Sequence, residues 1–177
     1  EVSSNVVTAK FSERLSPVEQ YQQLRDVGFG SPTGVELPSE SRGVVHRPER
    51  WQPELSRVSV AMGYYFEVTA LQLAAAYAAI ANDGILLTPT LIREVRSPDG
   101  TVLYRHQPEP VRRAVSPEVA AQLREFLRGA TGIGGTGSRA QARASAALGK
   151  TGTARRARNG SHVDEYVASL APTFPAA

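Results

Sequence analysis

A chain of 177 residues, 41% hydrophobic and 21% charged, can bury one real core and is too apolar for wholesale disorder. Its formal charge of +3 rests on 18 scattered arginines and two lysines, with only Arg155, Arg156 and Arg158 clustered, which argues against nucleic-acid binding. Zero cysteines exclude disulfides and thiolate metal sites, and no apolar run approaches the roughly 18 residues of a membrane span.

Val7, Phe11 and Leu15 recur at helical spacing and predict a helix over Asn5 to Leu15. Ser16-Pro17-Val18-Glu19 is a capping box with proline at the first helical position, and Gly28 supplies the stop. Residues 29 to 57, rich in glycine and proline, read as a long connection. A second helix is expected from about Thr69 to Ala81, with Leu73, Tyr77 and Ile80 on one face and Asn82-Asp83-Gly84 ending it. Ile92 to Arg105 reads as a hairpin turned by Ser97-Pro98-Asp99-Gly100. Ser116-Pro117-Glu118 opens a third helix whose Val119, Leu123, Phe126 and Leu127 are expected to face the core. Ile133 to Ala147 reads as a loop, and Thr151 to Ala157 and Val163 to Ala171 as a hairpin around Arg158-Asn159-Gly160.

Two short strings carry chemistry. Ser3-Ser4-Asn5 reads S-x-N and Lys150-Thr151-Gly152-Thr153 reads K-T-G-T. On a strand, Lys150 offers an ammonium that favours a deprotonated oxygen nearby, and Thr151 and Thr153 offer hydroxyls to a carboxylate. Gly152, lacking a side chain, lets a peptide-like ligand lie along the strand edge as an added strand. Taken singly, K-T-G-T also suits a solvated strand end, and Ser-Ser-Asn an ordinary helix cap. The arginine cluster reads as a solvated turn, and Glu36, Glu40 and Glu49 as solvent-facing. His46, His106 and His162 lack ligand spacing, so no metal site is expected.

Longer segments point one way. Val58 to Gly84 resembles the V-T-P-L-Q-L-A-x-A-Y segment of class B penicillin-binding proteins, with Ala70 where proline is common. Gly28 to Glu40 is similar to their G-F-G-x-x-T-G-I-D-L-P-G-E segment, and Gly135-Thr136-Gly137 followed by Gly149 to Ala154 matches their G-T-G to G-K-T-G-T-A order. Gly63-Tyr64 ahead of Val68-Thr69 resembles the septal, division-associated branch.

The resemblance implies an α/β fold (α+β in strict terms), an antiparallel sheet sandwiched between helices, of which residues 1–177 are the C-terminal part. It implies a D,D-transpeptidase that cross-links peptidoglycan stem peptides ending in D-Ala-D-Ala through an acyl-serine. β-Lactams would acylate the same serine. Other divisome membrane proteins would be partners, on the extracytoplasmic face of the cytoplasmic membrane, with the anchor elsewhere and no cofactor. Ser3 would shuttle a proton, Asn5 would orient the substrate amide, and Lys150 would hold the electrostatics. Thr151 and Thr153 would bind the terminal carboxylate, with the Thr153 N–H as an oxyanion donor. The family's third signature, S-x-x-K, is absent: no serine here has lysine three positions on. The nucleophile is therefore expected upstream of Glu1. Two rivals stay open, a serine β-lactamase and a non-catalytic module of the same fold. The V-T-A-L-Q-L run and the glycine–proline loop favour the transpeptidase over the lactamase.

Overall fold

The computed structural model describes residues 4–52, 55–140, 147–158 and 161–173. Helix α1 (Asn5–Ser12) starts because the Ser4 hydroxyl accepts the Val7 N–H at 3.3 Å. It stops three residues short of Leu15. The N–H groups of Arg14 and Leu15 reach back only three residues, to Phe11 and Ser12, and the last turn tightens. Helix α2 (Pro17–Asp26) carries the expected capping box: Ser16 Oγ accepts from Glu19 N at 3.2 Å, and Glu19 Oε2 accepts from Ser16 N at 2.7 Å. Gly28, at φ +96°, turns the chain away as anticipated.

The glycine–proline stretch that follows is held at defined points. The Glu40 carboxylate accepts the N–H groups of Thr33 and Gly34, and buried Trp51 donates its indole N–H to His46 O at 3.0 Å. Strand β1 (Val44–Val45) pairs antiparallel with β2 (Phe66–Glu67), across helix α3 (Leu55–Ala61). The strongest tie comes from helix α4 (Ala70–Ala81). Gln72, 1% exposed, caps that helix by accepting from Thr69 N, and its amide donates to Ser31 O at 2.7 Å and Arg42 O at 2.9 Å. One buried amide thus satisfies two loop carbonyls that would otherwise lose their hydration unrewarded.

Helix α4 buries Gln72, Ala76 and Ala79 most deeply, while Leu73, Tyr77 and Ile80 are half-buried. It ends where Asp83 and Gly84 both take positive φ; a Cβ at Gly84 would lie 2.1 Å from Val115 O, so only glycine fits. Strand β3 (Ile85–Leu87) then pairs with β6 (Pro110–Arg113), a partnership the sequence pattern did not reveal. Between them β4 (Glu94–Arg96) and β5 (Val102–Arg105) form the expected hairpin, its turn closed by Gly100 N to Ser97 O.

Helix α5 (Pro117–Thr131) leads to the long hairpin of β7 (Leu148–Arg158) and β8 (Ser161–Thr173), whose tip, 159–160, lies outside the described residues. Helix α5 packs on β7 and α4 on β8, so helices do cover an antiparallel sheet. Among the described residues that sheet has two strands, and the others form three further antiparallel pairs.

The expected core face of α5 needs correction. Ala120, Ala130 and Thr131 are buried, whereas Val119 is 43% and Phe126 70% exposed. Small residues let α5 approach β7 closely. Leu123 and Phe126 instead line an apolar groove of about 1000 Å³, with Phe11, Leu24 and Val60 from the other helices.

Candidate active site

The K-T-G-T tetrad lies near the start of β7, with Lys150 opposite Ala171, Thr151 opposite Leu170, Gly152 opposite Ser169 and Thr153 opposite Ala168. Alternation along a strand puts Thr151 and Thr153 on one face and Lys150 and Gly152 on the other. Among the described residues β7 pairs with β8 alone. Its second edge is where an extended peptide would add as a further strand. The Lys150 ammonium donates to Thr151 O at 2.7 Å, which holds its charge along the tetrad.

Gly152 has a use the sequence did not disclose. A Cβ there would come within 2.5 Å of Ser169 Oγ on β8. A side chain at position 152 would oblige the Ser169 hydroxyl to turn away.

The base of β7 is anchored from below. Ala147 and Leu148 are 1% and 2% exposed, and the fully buried Thr131 hydroxyl of α5 donates to Ala147 O. The Thr136 hydroxyl of the G-T-G turn accepts a 3.0 Å hydrogen bond from Thr151 Oγ1. No local pattern announces that contact, because 15 residues separate the partners.

Of the six residues proposed for the site, β7 brings four together: Lys150, Thr151, Gly152 and Thr153. Ser3 lies outside the described residues. Asn5 is exposed in the first turn of α1, a helix that packs on α3, and the neighbouring Ser4 does the capping.

Glu36 and Arg155 are exposed, as expected, and are nevertheless engaged. Glu36 is a clamp: it accepts from Thr90 Oγ1 at 2.6 Å and Leu91 N at 3.0 Å, and these bonds, the Thr90 hydroxyl first, hold its carboxyl below the ordinary range. Arg155 is engaged within the hairpin, paired with Asp164 and set over the Tyr166 ring at 5.9 Å.

Residues 1–176 match the family model for the penicillin binding protein transpeptidase domain. The chain is 38% identical to the penicillin-binding protein PbpB of Mycolicibacterium smegmatis over 87% of its own length and 24% of that relative's. It is 31% identical to the probable peptidoglycan D,D-transpeptidase PenA of Neisseria gonorrhoeae, over 98% of this chain and 28% of that one. The chain thus spans about a quarter of the length of these relatives. Penicillin binding protein 3 of Mycobacterium tuberculosis, solved in complex with aztreonam, aligns with a TM-score of 0.85 at 34% identity, over 98% of this chain and 40% of that chain. A family match over nearly every residue, carried by a backbone that follows solved members, makes this chain a member of the penicillin-binding protein transpeptidase domain family.

Proposed function

We propose that these residues supply the K-T-G-T side of the active site of a division-type peptidoglycan D,D-transpeptidase. The observation that carries the reading is the tetrad on β7, with one strand edge unmatched by any described strand, in a chain of this family. The stem peptide lies along that edge, and its D-Ala-D-Ala carboxylate takes hydrogen bonds from the Thr151 and Thr153 hydroxyls. The Thr153 N–H faces the oxygen on which charge develops, and Lys150 favours the deprotonated nucleophile. In this reading Ser3 and Asn5 complete the site, one relaying a proton and the other holding the substrate amide. The acyl bond forms on the serine of an S-x-x-K segment outside the 177 residues. β-Lactams enter as carboxylate-bearing substitutes, in keeping with the aztreonam and ampicillin complexes of penicillin binding protein 3.

The reaction is placed at the extracytoplasmic face of the cytoplasmic membrane, with divisome membrane proteins as partners. A fluorescent penicillin tests the chemistry. The full-length protein should take a stable, stoichiometric label that survives denaturation, and the 177-residue chain alone should take none. Rapid release of the label would favour a lactamase, and an unlabelled full-length protein would favour a non-catalytic module.

A further inference from the structure

The hairpin of β4 and β5 has two unlike faces. Cross-strand pairing sets Glu94 beside Arg105, and the Glu94 carboxylate also pairs with Arg96, so one face is closed by its own ion pairs. The other face holds Val95 opposite Tyr104. Alternation adds Arg93 and His106 to it: His106 N donates to Arg93 O at 3.0 Å, and the Tyr104 hydroxyl lies 3.4 Å from His106 Nδ1. Arg93, Val95 and Tyr104 are exposed. The two strands put no carboxylate on this face, and Asp99 is engaged in the turn, accepting from Ser97 Oγ and Thr101 N.

Apart from each other, β4 and β5 pack closely on no described helix or strand, and a two-stranded ribbon alone is marginal. This one is held at its root, where Thr88 N donates to Glu109 O at 3.0 Å and Glu36 clamps Thr90 and Leu91. Its apolar pair is thus presented on a fixed support, which lowers the entropy cost of binding. We propose that the face of Arg93, Val95 and Tyr104 docks an acidic segment of a partner protein, with a carboxylate on the Arg93 guanidinium and an apolar side chain against Val95 and Tyr104. Charge selects this occupant. A second copy would oppose two cationic faces with no carboxylate to offset them. An anionic lipid surface would meet the tip, and Pro98-Asp99-Gly100 brings an acid there. Such docking needs no acyl chemistry, so it stands apart from the transpeptidase reading.

Fluorescence anisotropy of a short labelled peptide that alternates glutamate with phenylalanine, titrated with the full-length protein, tests it. The peptide should bind, and added salt should weaken it. Arg93→Glu and Tyr104→Ser should each weaken it about tenfold, the scale of losing a contact that anchors an interface, with the melting temperature unchanged. The same peptide with lysine for glutamate should bind Arg93→Glu better than the wild type. Failure of the acidic peptide to bind, which is the result if another part of the full-length chain covers this face, would overturn the proposal. So would equal binding to wild type and both variants, self-association of the full-length protein that Tyr104→Ser abolishes, or binding to phosphatidylglycerol vesicles that Arg93→Glu abolishes.

Discussion

The base of β7 and the groove beside α1 are both built on α5, yet they stand in opposite physical states. Under β7 the contacts are small and closed: Thr131, Ala147 and Leu148 are at most 2% exposed. In the groove the contacts are large and open, with Phe11 60% and Phe126 70% exposed. Small side chains allow close backbone approach and direct side-chain-to-carbonyl bonds, whereas large apolar ones need a covering surface to contribute. One helix therefore fixes the K-T-G-T strand with its alanine and threonine face and leaves its leucine and phenylalanine stripe uncovered.

The largest expected effect tests the closed side through its chemistry. Lys150→Ala in the full-length protein should slow penicillin acylation by about two to three orders of magnitude, as loss of a transition-state electrostatic contact does. The melting temperature should barely move, because a charge at a strand edge adds little to the core. Near-normal acylation would show that the site lies elsewhere.

Next comes packing. Leu148→Ala should cost about 3 kcal/mol in urea unfolding of the full-length protein, the usual result of emptying a filled core position. The open side should announce itself in the 177-residue chain alone. That chain should bind an apolar-surface dye and show helical far-UV signal without a sharp thermal transition, and Phe126→Asp should reduce the dye signal. A monomer that unfolds cooperatively and binds no dye would erase the contrast.

The smallest effect concerns the clamp between residue 36 and the Thr90–Leu91 turn. Its bonds place the folded pKa of Glu36 below the unfolded one, so the stabilisation is complete above the ordinary carboxylate pKa and is lost as the pH falls through the lowered value. Glu36→Gln should flatten part of the acid-side decline in melting temperature from about pH 4.5 downwards. An unchanged pH profile would show that the clamp does not contribute.

What could be read from the sequence was written within a few residues. The Ser16 capping box, the Ser97–Gly100 turn and the β7–β8 hairpin each depend on neighbours in the chain, and each is present. The early end of α1 escaped because hydrophobic spacing does not report tightening from four-residue to three-residue hydrogen bonds. The exposure of Val119 and Phe126 escaped because an apolar stripe states that a partner surface is wanted, not that one is present. Contacts between distant segments left no trace: Gln72 with Ser31 and Arg42, Glu36 with Thr90, and Thr136 with Thr151 span 15 to 54 residues. The tetrad itself was legible by resemblance, but its mounting on α5 was not.

That mounting makes the place of the K-T-G-T strand insensitive to the length of chain between residues 137 and 147. Residues 130 and 131 hold both Gly137 and Ala147, so the chain leaves and returns to a single helical turn between those two points. The cost of closing such an excursion grows only slowly with its length, by about 0.6 kcal/mol for each doubling. Lys150 and Thr151 are therefore expected to keep their place when a few residues are added or removed between 138 and 146.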